Sequence, residues 1–253
     1  MSDRHAPFFL QGSQEKGVVI FIHGFMGSPR QFDKLAASVH KQGRSAAALL
    51  LPGHGGTAKD FSKGTFERWQ SHVDAEAERI SRDHTHVILA GHSMGGLLAI
   101  NAAVRQSGKI RGIFTIACPF ALNAFSAYAI KIRLKQAFSR KNDPIKSAYL
   151  DGSGVPTSPS LMWRTSKPAA EIKILMSAAR ANLPLLRAPV YAVYSVSDEL
   201  TSIASLDIFK EGLTGAPFEH LLLSESLHAY FPDHEQIMIE RALSDFTTTS
   251  MAL

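Results

Sequence analysis

The sequence predicts an α/β fold with a mostly parallel central sheet, helices on both faces and a mainly helical insertion. Short apolar runs rich in β-branched residues alternate with amphipathic stretches up to residue 117, and the alternation resumes at residue 189. This order is typical of parallel strands joined by helices. Residues 120–185 lack a clear buried strand. We therefore expect one domain over residues 1–253, with a lid inserted at 120–185 above the strand ends where α/β folds bind ligands.

Each element is predicted from its apolar pattern. The strands are apolar runs at 18–22, 45–51, 86–90, 110–117, 189–194 and 218–223. The helices carry apolar stripes at 29–42, 65–83, 94–106, 203–212 and 236–246. Inside the insertion, two further stripes predict helices through 127–138 and 172–179, separated by a loop at 151–156. The apolar–basic alternation at 130–134 would also suit a strand.

Composition is that of a globular protein, with 45% hydrophobic and 19% charged residues. The single cysteine, Cys118, excludes an intrachain disulfide, predicts a reducing compartment and is expected in the core. The short apolar patch at 6–10 lacks the cleavage pattern of a signal peptide, and no apolar run reaches membrane-spanning length. We therefore expect a cytoplasmic protein.

The net charge of +5 is unevenly distributed. Residues 119–186 carry ten Lys or Arg against three acids, a charge of +7, which leaves −2 for the remainder. Such asymmetry favours an anionic partner or a membrane surface, although solvated helix faces would give the same pattern. We expect no nucleic-acid partner.

The strongest chemical signal is the segment GHSMGG at 91–96, which follows a predicted strand and opens a predicted helix. In that context Gly-x-Ser-x-Gly indicates a nucleophile elbow, a strained turn that raises the Ser93 hydroxyl above the sheet. Small residues are needed on either side because neighbouring backbone crosses closely there. Ser93 also precedes a helix N-terminus, whose free N–H groups favour negative charge.

A serine nucleophile needs a base and an acid that orients the base. On such a sheet the acid and then the histidine follow the serine along the chain. Asp198 comes just after the strand at 189–194 and is the predicted orienting acid, with Glu199 as the adjacent alternative. A helix N-cap is the structural alternative for Asp198.

The predicted base is His228, in the loop after the last strand. His220 lies at the wrong end of that strand, and His234 lies at a helix start. The backbone N–H groups of Phe25 and Met94 are the predicted oxyanion donors, from the glycine-containing loop after the first strand and from the residue after the nucleophile. His23 and His92 are expected to hold loops rather than to react.

The chain resembles bacterial carboxylesterases and monoacylglycerol lipases of the α/β-hydrolase superfamily. The resemblance rests on HGFMGSP at 23–29, LPGHG at 51–55, Trp69 and GHSMGG at 91–96, in this order. It implies the α/β-hydrolase fold and a small-lidded serine esterase that acts on short- to medium-chain monoesters or monoacylglycerols, without cofactor or metal. The triad Ser93, Asp198 and His228 matches the family pattern. Leu227 departs from it, because glycine commonly precedes the family's catalytic histidine.

The insertion should determine the substrate. Its aromatic and apolar side chains either line an acyl pocket or simply pack the lid onto the body. The candidate substrate-binding residues are Phe120, Phe125, Tyr128, Met162 and Trp163. Basic residues of the same segment predict attraction to anionic lipid or negatively charged esters; they are Lys131, Arg133, Lys135, Arg140 and Lys141.

Other reactions share this constellation. A carbon–carbon bond or lactone hydrolase would use the same triad, and an acyltransferase would replace water by an alcohol. Dehalogenation needs a carboxylate nucleophile, which Ser93 cannot supply. A non-catalytic ligand receptor on the same fold is the alternative from another class, and lack of multiple turnover would identify it.

Overall fold

The computed structural model of the protein describes residues 5–123, 143–155 and 164–251. Within these ranges the chain forms a seven-stranded sheet. The strands are β1 (Phe8–Leu10), β2 (Val18–Ile22), β3 (Ser45–Leu49), β4 (Val87–His92), β5 (Ile110–Ile116), β6 (Val190–Ser195) and β7 (Phe218–Leu223). Their order in space is β1-β3-β2-β4-β5-β6-β7. The edge strand β1 pairs antiparallel with β3, and the other neighbours pair in parallel.

Helices connect the strands. They are α1 (Asp33–Lys41), α2 (Ala58–Phe61), α3 (Phe66–Ser81), α4 (Met94–Arg105), α5 (Pro144–Gly152), α6 (Ser166–Asn182), α7 (Ala204–Gly212) and α8 (Asp233–Met251). Short 3-10 helices occupy 14–16, 29–32 and 183–185. Over the described ranges, no helix is both long and apolar enough to cross a membrane.

The sheet is buried on both faces, as a parallel sheet must be. Val18, Ile20 and Ile22 of β2 belong to a core that includes side chains of α3, α4, α6 and α7. Val19 and Phe21 alternate with them and belong to the opposite core, with side chains of α1 and α8. Each face of the sheet is therefore covered by its own helices.

The predicted fold class is confirmed, and each strand and helix expected in the described residues is present. The loop predicted at 151–156 is wrong at its start, because α5 continues through Asp151 and Gly152. Three of these strands and α-helices were not predicted: β1, formed by part of the apolar patch at 6–10, the four-residue α2, and α5 inside the insertion. Too few residues form β1 and α2 to establish a periodic pattern.

The insertion is described only in part. The predicted stripe at 127–138 lies outside the described residues. The stripe at 172–179 lies on α6, where Leu175 and Ala179 are buried against the core. The assignment of 120–185 as a lid stays a prediction.

Candidate active site

Ser93 lies on a strained turn between β4 and α4. Its backbone angles are φ 52° and ψ −120°, which L-residues rarely adopt. A side chain on Gly91 would overlap the backbone of Gly95, and one on Gly95 would overlap the carbonyl oxygen of Ile22. The flanking glycines are therefore required by the close approach of α4 to β2 and β4, as the sequence predicts.

The structure brings three predicted side chains into one hydrogen-bonded chain. The Ser93 Oγ lies 3.0 Å from His228 Nε2. On the other side of the ring, His228 Nδ1 lies 3.0 Å from Asp198 Oδ2 and 3.2 Å from Oδ1. With Nδ1–H donating to Asp198, Nε2 presents a lone pair to the serine hydroxyl. The arrangement can remove the Ser93 proton.

The sheet explains why residues so distant in sequence meet. Ser93 follows β4, Asp198 follows β6 and His228 follows β7. These strands are parallel members of one sheet, so their carboxyl ends share an edge. Asp198 and His228 are 4% and 9% exposed, which shields their interaction from water.

Asp198 is held as an anion. Burial alone would raise the pKa of Asp198, but the positive charge of a protonated His228 and the hydrogen bonds that Asp198 accepts leave this pKa below its ordinary value. Its Oδ1 accepts the N–H groups of Leu200 and Thr201 at 2.8 and 2.7 Å. These donors fix the carboxylate that orients the His228 ring.

The alternative residues lie elsewhere or bind differently. His220 is on β7, where it is exposed and stacks on Phe218. His234 is on α8 with a 61% exposed side chain that faces Glu225. Glu199 is buried next to Asp198, but its carboxylate accepts the backbone N–H of His228 at 3.0 Å. Of the candidate acids, Asp198 is the one placed against the His228 ring.

Two side chains hold the backbone of His228, and of these two functions that of Glu199 was not predicted from the sequence. Glu199 accepts its N–H, while the Nε2–H of His92 donates to its carbonyl oxygen at 2.8 Å. Burial, together with the neighbouring His228, lowers the pKa of His92 to about 3, so this ring is neutral. The expectation that His92 holds a loop agrees with this contact. Adjacency of Glu199 and His92 to two predicted triad residues was the available signal.

Glu235 holds the start of the loop that carries His228, residues 224–232, which we call the histidine loop. Its two carboxylate oxygens accept the N–H groups of Ser224, Glu225 and Ser226 at 2.7, 3.0 and 2.7 Å, together with the hydroxyls of both serines. Burial opposes ionisation of Glu235, but these hydrogen bonds lower its pKa to about 2. The local sequence indicates only a helix start here, because nothing in its pattern reveals a carboxylate that reaches back to the preceding loop.

The loop after β2 approaches the nucleophile closely. A Cβ on Gly24 would lie 3.1 Å from the Cβ of Ser93. A turn closed by the Gly27 N–H and the Gly24 carbonyl holds Phe25 and Met26, and Met26 has φ 60°. Among the described residues, no acceptor bonds the N–H of Phe25 or of Met94. Both groups stay candidate oxyanion donors.

His23 anchors this loop as expected for a structural residue. Its Nε2 accepts the Leu51 N–H at 3.1 Å, and its Nδ1 lies 2.9 Å from the Gly24 carbonyl oxygen. Burial and nearby histidines lower its pKa well below the ordinary value. Only the neutral ring can accept at one nitrogen and donate at the other.

The candidate substrate residues fall mostly outside the described part of the chain. Phe125, Tyr128, Met162 and Trp163 lie there, as do the basic residues 131, 133, 135, 140 and 141. Phe120 is 7% exposed and packs edge-to-face on Phe209, with ring centroids 5.0 Å apart. Its predicted contact with substrate stays a prediction. In the described ranges, no group of three or more His, Cys, Asp or Glu is arranged to hold a metal ion.

A protein-family model and curated relatives match this chain. A family model for serine aminopeptidase, S33, matches residues 13–235. The thermostable monoacylglycerol lipase of Bacillus sp. (strain H-257) is 26% identical over 235 residues, which is 90% of this chain and 89% of the relative. The expected resemblance to carboxylesterases and monoacylglycerol lipases is confirmed.

Solved structures share the fold. One of two metagenome-derived lipolytic enzymes superposes with a TM-score of 0.77 at 23% identity, over 98% of each chain. The monoacylglycerol lipase of Paleococcus ferrophilus gives 0.73 at 19% identity, over 97% of this chain and 98% of that one. Such similarity confirms the predicted α/β-hydrolase fold.

Proposed function

The chain belongs to the serine aminopeptidase S33 family of α/β-hydrolases, and from that premise we propose that it cleaves carboxylic esters through an acyl-enzyme on Ser93. Short- to medium-chain monoesters, including monoacylglycerols, are the proposed substrates. The relative from Bacillus, which is named a monoacylglycerol lipase and aligns with 90% of the chain, supports this substrate class.

One observation carries the proposal. The Ser93 hydroxyl, on a turn with φ 52°, lies 3.0 Å from a histidine nitrogen whose ring is held by a buried carboxylate. Serine is a weak nucleophile until a base accepts its proton, and this geometry supplies the base and its orientation. The strained turn indicates that the position of the hydroxyl is functional, because nothing in a helix cap requires such angles.

In the proposed reaction, His228 Nε2 accepts the proton as Ser93 Oγ attacks the ester carbonyl. The carbonyl oxygen becomes negative and receives the N–H groups of Phe25 and Met94. His228 then gives the proton to the departing alcohol, and the acyl group stays bound to Ser93 as an ester. Asp198 stabilises the transient imidazolium throughout.

Water completes the cycle. His228 takes a proton from the water that attacks the acyl-enzyme, and then gives it to Ser93 Oγ as the carboxylic acid leaves. An acyltransferase would differ only in the acceptor, and a lactonase only in the ring that opens. Product analysis separates these reactions.

The test is turnover of p-nitrophenyl esters of graded acyl length, beside monoacylglycerol, lactone and aminoacyl amide substrates. We expect Ser93→Ala to lose activity by a factor of about 10⁴ or more while it keeps its folded spectrum. A fluorophosphonate probe should add its mass at Ser93 alone. Ser81→Ala, which removes an exposed hydroxyl from α3, is the matched control and should be fully active.

Three outcomes would contradict the proposal. They are undiminished turnover by Ser93→Ala, probe attachment at another residue, or preference for the aminoacyl amide over every ester. Binding of esters without multiple turnover would instead indicate a receptor.

A further inference from the structure

The segment 143–155, which contains α5, contacts the loop that carries Phe25, residues 23–28, which we call the oxyanion loop. The Gly154 N–H donates to the Met26 carbonyl at 2.8 Å. The Ser28 hydroxyl donates to the Gly152 carbonyl at 3.2 Å. Through these bonds the carboxyl end of α5 fixes the loop that supplies a proposed oxyanion donor.

The same segment contacts the histidine loop through Tyr149. The Tyr149 hydroxyl donates a short hydrogen bond to Glu199 Oε1, and the Ala229 N–H points to the Tyr149 oxygen at 3.4 Å. The other carboxylate oxygen of Glu199 accepts the His228 N–H at 3.0 Å. A continuous chain of hydrogen bonds therefore runs from α5 to the backbone of His228.

The chain depends on Glu199 keeping all of its hydrogen bonds. Glu199 is 1% exposed, and a buried carboxylate must be hydrogen-bonded or it is strongly destabilised. Without the Tyr149 hydroxyl, Glu199 Oε1 loses the donor that the described part of the chain gives it. The carboxylate must then turn towards water or another partner. Such a turn would weaken the bond from Oε2 to the His228 N–H.

We propose that Tyr149 is a positioning residue that acts through Glu199 on His228, so that the catalytic base is aligned only while α5 is seated. This rests on the proposed function, because it assigns the base to His228. It adds that one segment holds both halves of the site: the oxyanion loop through Gly152 and Gly154, and the histidine loop through Tyr149. Displacement of α5 would disorder both together.

The experiment compares steady-state ester hydrolysis and the rate of Ser93 labelling by a fluorophosphonate in four proteins: the wild type, Tyr149→Phe, Glu199→Gln and the double variant. Misalignment of a base lowers the rate of chemistry and leaves substrate affinity intact. We expect Tyr149→Phe to lower kcat and the labelling rate about tenfold, with KM unchanged within about twofold. Tyr191→Phe, which removes a hydroxyl from β6 at a ring stacked on Phe114, is the matched control.

The double variant tests the route. If Tyr149 acts through Glu199, adding Tyr149→Phe to the Glu199→Gln variant lowers kcat little further. The losses of the two single variants are then not multiplicative in the double variant. Multiplicative losses, a rise in KM with unchanged kcat, or wild-type rates in Tyr149→Phe each overturn the inference. The proposed function fails separately, when Ser93→Ala keeps its activity or the wild type turns over no ester.

Discussion

Acidification should destabilise this protein strongly, because three histidines are buried in their neutral form. His23, His54 and His92 are 0%, 1% and 5% exposed. Burial is the largest cause that lowers the pKa of each: to about 4 for His54, to about 3 for His92, and well below the ordinary value for His23. In the unfolded chain all three would titrate near 6.5.

The sign follows from proton uptake. Below pH 6.5 the unfolded state binds protons that the folded state does not, so the free energy of unfolding falls as the pH falls. Each pKa unit of difference corresponds to about 1.4 kcal/mol. Between pH 7 and pH 5, His54 and His92 therefore remove about 2 kcal/mol each, and His23 acts in the same direction. Typical domains have only about 5–15 kcal/mol of stability.

Urea unfolding at pH 8, 7, 6 and 5 measures the effect. We expect the midpoint to fall steeply below pH 6.5. His54→Leu, which removes a titrating group from the contact with Phe61 and Trp69, should reduce the loss by about 2 kcal/mol. His40→Gln, which replaces an exposed histidine on α1, is the matched control. A free energy of unfolding that stays constant between pH 7 and pH 5 would refute the reasoning.

Two further predictions concern the turn and the histidine loop. In Gly95→Ala, the new Cβ would lie 2.6 Å from the carbonyl carbon of Ile22, within buried backbone that cannot move aside, and we expect a loss of at least about 3 kcal/mol in urea unfolding. Gly108→Ala, where nothing lies within 4 Å but φ is +91°, should cost only about 1–2 kcal/mol; equal losses would contradict the packing argument. Glu235→Gln should lower stability at pH 7 by up to about 3 kcal/mol, and kcat with it. This difference should shrink as the pH falls from 4.5 towards 2, where wild-type Glu235 becomes protonated; a pH-independent difference would argue against it.

The fold could be predicted from local signals in the sequence, and the same signals indicated the three residues that the structure brings together and that we propose as the triad. Strand β4 is a continuous apolar run, the glycines at 91 and 95 mark the crossing of backbones, and Asp198 follows its strand directly. Parallel topology then brings the strand ends to one edge without further information. These inferences need only residue type and order.

The supporting residues could not be predicted in the same way. Glu235 lies on α8 yet binds backbone groups of residues 224–226, and Tyr149 lies on α5 yet reaches Glu199. Such contacts depend on how helices pack on the sheet, and a single polar contact between two elements leaves no periodic signal in the sequence. A polar residue in a helix pattern is read as solvated, although Glu235 is only 3% exposed.

Leu227 precedes His228 at the position where related enzymes commonly have glycine. A glycine before the histidine would adopt unusual backbone angles freely, whereas leucine strongly disfavours them. Among the described non-glycine residues, positive φ occurs at Met26, Ser93 and Ala117, so Leu227 keeps ordinary angles. Its N–H donates to the Tyr230 carbonyl at 2.9 Å and its side chain is 8% exposed. The loop thus reaches Ser93 without glycine because side-chain acceptors, rather than backbone freedom, determine its course.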